Sequence, residues 1–231
     1  MIKNKVLVVA AHPDDEVLGC GGTMARHAIL GDEVNVLILG EGVTSRDLSR
    51  DVNARDLELS DLIVAAQKAN SSLGVKNLIL HQLPDNRMDS VDLLDIVKLV
   101  EDAVLRIKPD IVYTHYNNDV NVDHRMVHEA VIVACRPLPG SSVKQLLFFE
   151  VASSTECRPV VSSSGFCPNW YVDISAFLDK KIQALEFYAA EMRPFPHVRS
   201  FKALEHLARW RGASVGVEAA EAFIIGRGIV K

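Results

Sequence analysis

An unbroken apolar run, KVLVVAA at positions 5–11, ends directly on the block His12-Pro13-Asp14-Asp15-Glu16. Such a run lacks the apolar–polar alternation of a half-exposed strand, so it suits a strand covered on both faces, inside a parallel sheet. Parallel neighbours need crossover connections, and the chain supplies them. A glycine-containing turn leads to an amphipathic stretch at 23–30, closed by Gly31 as a C-terminal cap, and EVNVLIL at 33–39 resumes strand character. The alternation continues with a helix over 50–70, a strand at 77–81, a helix over 91–107, a strand at 110–115 and a helix near 124–135. Apolar runs at 145–151 and 170–174 and a helical tail over 175–212 complete it. The pattern predicts an α/β fold: a Rossmann-like, doubly wound, mostly parallel sheet in a single domain spanning 1–231, with its core in 1–135 and added strands and a helical tail in 136–231.

Composition narrows the function classes. With 231 residues, 48% hydrophobic and 24% charged, the chain has the balance of a globular protein. Its net charge of −5, with no cluster of Lys and Arg, excludes a nucleic-acid partner bound through phosphates. No stretch reaches the ~18 apolar residues of a membrane span. The N-terminal apolar run is too short for a signal peptide and has the wrong exit, which predicts a cytoplasmic protein. The four cysteines are scattered without a Cys-x-x-Cys pair, so they suggest neither a zinc knuckle nor a disulfide framework.

In doubly wound sheets, ligands bind where loops leave the carboxyl ends of the strands. Here those loops carry His12 to Glu16, then Glu41 to Arg46, then Asp85-Asn86-Arg87, and then a polar segment from His115 to His124. Adjacent acids at the mouth of a buried strand repel one another, and a cation relieves the repulsion. Helix capping accounts for one acid there, but not for the histidine or the surplus charge. Imidazole with carboxylate suits Zn²⁺, and also Fe²⁺, Co²⁺ or Mn²⁺. His12 and Asp15, three residues apart, can face one ion across a tight strand-to-helix turn while Asp14 projects elsewhere. A third ligand must come from another loop, and His124 at a loop-to-helix junction is the better candidate than His128 one turn on. The spacing of these two resembles a zinc-protease helix, but Arg125 stands where that motif carries its glutamate base, so a protease is rejected.

His12-Pro-Asp-Asp-Glu16 after the first strand, with Asp123-His124 after the fourth, resembles the PIG-L/LmbE family of zinc-dependent N-deacetylases. The resemblance extends from Val6 to the tail Ala220-Glu221-Ala222-Phe223. It implies that His12, Asp15 and His124 bind zinc, that Asp14 is the general base, and that the substrate is an N-acetylated amino sugar in a glycoconjugate. It also implies a capacity to form homo-oligomers. Many members carry a histidine at the position of Asn121, where it stabilises the oxyanion or protonates the leaving amine. Asn121 can donate a hydrogen bond but cannot deliver a proton, so His197 is the first replacement candidate and His128 the second. Arg46, Asp85 and Arg87, with Asn86 and Asp89, are candidates for sugar hydroxyls or a phosphate, and Arg193, His197 and Arg199 add positive charge that fits a nucleotide-linked or otherwise phosphorylated sugar.

Three other readings compete. A nucleotide-cofactor site is suggested by Gly19-Cys20-Gly21-Gly22, but Met24 occupies the third glycine's place and an acidic loop precedes it. An idle sugar- or metal-binding module would not need Asp14. A zinc hydrolase of another amide, N-formyl or non-sugar, differs only in substrate.

Overall fold

The run that opens the chain forms β1 (Lys5–Ala10), which pairs in parallel with β2 (Glu33–Gly40) on one edge and β4 (Ile111–His115) on the other. The computed structural model describes residues 3–159 and 165–230. Within them, β3 (Asn77–Leu83), β5 (Gln145–Phe149), β6 (Trp170–Asp173) and β7 (Ala220–Gly228) complete one seven-stranded sheet in the order β3-β2-β1-β4-β5-β7-β6. β1 to β5 run parallel, whereas β7 is antiparallel to both β5 and β6. The expected doubly wound, mostly parallel sheet is therefore present.

Alternation along β1 sends Val6, Val8 and Ala10 into one core and Leu7 and Val9 into another. The first core is closed by α1 (Asp15–Ile29), α2 (Asp56–Ser72) and α5 (Leu178–Glu186), through Val17, Met24, Leu59, Ala66 and Leu185. The second is closed by α3 (Leu93–Ile107) and α4 (Val122–Ala134), through Ile96, Val100, Val127 and Val131. α6 (Phe201–Ala213) packs beside β7. With neighbours on both sides and helices on both faces, β1 is apolar from Val6 to Ala10, and the first polar side chain after it is His12.

Several expected boundaries move. α1 begins at Asp15 rather than residue 23, and Gly19 to Gly22 lie inside it, about a kink at Cys20. These glycines are there for close approach. A Cβ on Gly19 would stand 2.4 Å from the Phe149 ring, and one on Gly22 would stand 2.8 Å from Ile174. That removes the phosphate-cradling turn a nucleotide site would need. α2 starts at Asp56, because residues 41–55 form a loop with short 3₁₀ turns at Thr44–Arg46 and Asn53–Arg55. The tail is not continuously helical: residues 187–200 connect α5 to α6, with prolines at 194 and 196, and a strand, β7, follows. All four cysteines are free, and no described helix is long and apolar enough to cross a membrane.

Candidate active site and metal centre

The strand order reverses direction between β1 and β4, and there the loops leaving their carboxyl ends diverge and open a crevice. His12 to Asp15 line it from β1, and Val120 and Asn121 with the start of α4 line it from β4. The result is a cavity of about 490 Å³ with a mostly polar lining.

At its floor, Asp15 Oδ2 lies 3.2 Å from His12 Nδ1 and 3.2 Å from His124 Nε2. His12 is 9% exposed and Asp15 and His124 are 1% exposed, so these polar groups sit where only specific partners stabilise them. Their ligand atoms all fall within 4.8 Å of one another. Each histidine hands its other nitrogen to a carboxylate. His12 Nε2 lies 2.9 Å from Asp123 and 3.2 Å from Asp85, and His124 Nδ1 lies 3.2 Å from Asp119. These carboxylates select the tautomers, leaving His12 Nδ1 and His124 Nε2 directed at the common point. That is the outer shell a metal-ligating histidine needs.

Those outer carboxylates are themselves anchored. Asp123 accepts from the Asn86 and Met88 N–H groups at 2.6 and 2.9 Å, and Asp85 accepts from Ser45 N–H at 3.0 Å. His12, Asp85 and Asp123 form a second geometric cluster, but these hydrogen bonds already occupy the carboxylates, which therefore orient His12. Asp119 accepts from Thr155 Oγ1 at 2.7 Å, from Asn121 N–H at 2.8 Å and from Ser154 Oγ.

The electrostatics follow from this packing. Burial opposes the charge on His124, but Asp15 and Asp119 outweigh it and lift the pKa to about 9. His12 is likewise raised well above the ordinary value, its burial overcome by Asp123 and Asp15. Burial opposes ionisation of Asp15, yet His124 and His12 hold it well below the usual range. A site that draws protons onto both histidines attracts cations, and one divalent ion can take the place of those protons. Two imidazoles and a carboxylate match a catalytic zinc site, and the donor set fits the expected ion.

Asp14 takes no part in this cluster. Its φ of 112° lies in the left-handed region, held by Glu16, which accepts its N–H at 3.0 Å, and by its own carbonyl, which accepts from Val17 and Leu18. It stands at the N-terminus of α1 but makes no side-chain capping bond. Its carboxylate turns into the cavity and accepts from Arg199 Nη1 at 3.1 Å. Burial lifts its pKa well above the usual range, and Arg199 offsets only part of that rise.

The other expected site residues divide. Arg46 lines the cavity, paired with Glu191 at 2.6 Å and Glu58 at 3.2 Å. Asp85 lines it too, but turns to His12. Asn121 lines it as the N-cap of α4, its side-chain oxygen accepting from Asp123 N–H at 2.8 Å. Arg87 is outside the lining, its guanidinium holding the carbonyls of Asp47 and Leu48. His197 is also outside: it is exposed, and its Nδ1 accepts from Arg199 N–H at 3.0 Å. His128 turns away, bonded to the His115 carbonyl at 2.9 Å and packed on Phe148.

In the sequence Asp119 is one of the acids just upstream of His124, and His115 has no assigned role. His115 stacks on His124 with ring centroids 4.0 Å apart, and its Nε2 accepts from Ala11 N–H at 2.8 Å. Burial keeps it neutral. The usable signal was the habit of ligating histidines to carry a carboxylate on the far nitrogen, which makes each acid near His124 a candidate.

The fold thus brings a His/Asp group that could hold a metal ion next to a separate buried acid, an arrangement that suits a hydrolase. The family described as PIG-L: GlcNAc-PI de-N-acetylase matches residues 7–135, and the chain belongs to that family. It is 30% identical over 154 residues to the uncharacterised deacetylase YaiS of Escherichia coli K12, covering 64% of this chain and 75% of that one. Among solved structures, the N,N'-diacetylchitobiose deacetylase of Pyrococcus horikoshii superposes with a TM-score of 0.75 at 21% identity, over 97% of this chain and 84% of that one. GalB of Pseudomonas putida KT2440, a 4-carboxy-2-hydroxymuconate hydratase, does so with a TM-score of 0.72 at 23% identity, over 100% and 98%. Likeness at those identities establishes the fold alone. The choice of chemistry rests on the family match and on the side chains.

Proposed function

We propose that the chain hydrolyses the acetamide of an N-acetylated amino sugar, with His12, Asp15 and His124 holding a divalent ion, zinc by donor chemistry, and Asp14 as general base. The observation that carries this reading is the buried Asp14 carboxylate beside two histidines and a carboxylate, none of whose ligand atoms it shares. A metal-binding module gains nothing from a second acid held in strained backbone beside its ligands. The amino sugar is favoured by the polar cavity and by the family's description.

A zinc ion held by His12, Asp15 and His124 would polarise the acetyl carbonyl and lower the pKa of the attacking water. Asp14, a stronger base than an ordinary aspartate, accepts the proton of that water as its oxygen adds to the carbonyl carbon. It returns the proton to nitrogen as the C–N bond breaks, so water and the acetamide become a free amine and acetic acid.

Asp14→Asn keeps the shape and removes the base. It should lower acetate release by ~10²–10⁴-fold while leaving zinc bound, read by product assay and elemental analysis. Near-native turnover in this variant overturns the role. The substrate is identified by acetate release from free, phosphorylated and nucleotide-linked N-acetylhexosamines, with N-formyl and non-sugar amides as controls.

A further inference from the structure

Amide hydrolysis places negative charge on the acyl oxygen, and the chain lacks a histidine at position 121 to receive it. Two arginines line the cavity. Arg46 spends both terminal nitrogens on Glu58 and Glu191. Arg199 uses Nη1 on Asp14 at 3.1 Å and Nε on Ser153 Oγ at 2.9 Å, and among the described residues nothing accepts from Nη2. Its backbone is fixed at both ends. Its carbonyl accepts from Arg193 N–H at 3.1 Å and its N–H donates to His197 at 3.0 Å, and Ser200, which follows it, caps α6.

We propose that Arg199 is a catalytic residue of this site, its unused guanidinium hydrogens donating to the acyl oxygen as that oxygen becomes negative. The proposal rests on the deacetylase reading. Two alternatives are weaker on the page. Asn121 offers only a neutral amide, and hydrogen bonds from a charged donor are roughly twice as strong. His197 is exposed and stands outside the cavity. A guanidinium does not give up its proton in this chemistry, so the proton needed by the amine must return from Asp14. The two residues thus divide the work. When the water's proton moves to Asp14, negative charge passes from that carboxylate to the acyl oxygen, and one preorganised guanidinium serves both positions without moving.

The test uses the zinc-loaded full chain, with Arg199→Gln, Arg199→Lys and Arg199→Ala. Arg199→Gln should keep its zinc, lose about 10²–10³-fold in kcat with KM within about threefold, and bind a methylphosphonamidate analogue more weakly in step with kcat/KM. Arg199→Lys should retain part of the rate, and added guanidinium should restore turnover to Arg199→Ala. A purely structural arginine would not be rescued in this way. Intact kcat with raised KM would make Arg199 a substrate handle. Zinc lost along with activity, or unchanged analogue affinity with no rescue, would make it a support for the loop. Each of these overturns the proposal. Wild-type protein inert toward every acetamide overturns the deacetylase reading itself, and is told apart because the parent enzyme, not the variant, fails.

Discussion

At the residue scale, the site is a set of histidines whose two nitrogens have separate duties. His124 presents Nε2 to the metal position because Asp119 holds Nδ1, and His12 does the reverse because Asp85 and Asp123 hold Nε2. Removing the charge of an orienting carboxylate weakens the ligand without deleting it. Asp119→Asn should therefore lower zinc affinity by about 10–100-fold, measured by competition with a chromophoric chelator. Unchanged affinity would reduce Asp119 to an anchor for Ser154 and Thr155. The proposed ligands His12 and Asp15 can be named from local chemistry, since a histidine and three acids after a buried strand have few other uses. Their orienting partners were not. Asp123 sits beside a ligand in sequence, yet nothing local says that it serves His12, 111 residues away, rather than its neighbour His124.

At the element scale, α1 departs most from expectation. Its kink at Cys20 frees the N–H groups of Gly22 and Thr23, and Glu221 on β7 accepts both, at 3.0 and 2.7 Å. Lys181 on α5 closes the arrangement, donating to Glu221 at 2.6 Å and to the Leu18 carbonyl at 2.8 Å. One buried ion pair thus ties together α1, α5 and β7 behind the proposed metal ligands. Glu221→Gln leaves Lys181 without its counter-charge and should cost about 3–5 kcal/mol, read as a lowered urea midpoint with zinc stoichiometry preserved. A loss below about 1 kcal/mol would show the pair to be dispensable. Gly19 to Gly22 read as a turn in the sequence because glycine usually punctuates. In the fold they are the clearance for Phe149 and Ile174.

At the scale of the whole molecule, the site exists because strand order reverses between β1 and β4, bringing two loops more than 100 residues apart into one crevice. Its surplus negative charge couples metal to proton. His124 has a folded pKa of about 9 against an ordinary 6.5, so in metal-free protein its stabilisation is complete below pH 6.5 and is lost as pH rises through about 9. Metal must displace that proton and so binds more strongly as pH rises over the same window. The melting temperatures of zinc-loaded and chelator-treated protein should therefore diverge between pH 6.5 and 9, by calorimetry. Parallel curves would remove His124 from the metal. The sequence alone determined the strand–helix alternation, the sandwiched first strand, the His-Pro-Asp-Asp-Glu block and the family, because periodicity and ligand chemistry are properties of near neighbours. Only the tertiary structure decided that β7 lies between β5 and β6, that Glu221 completes α1, and that Arg199 rather than His197 reaches Asp14, 185 residues away. Those choices depend on which surfaces pack together, and contacts between distant segments leave no periodic trace in either one.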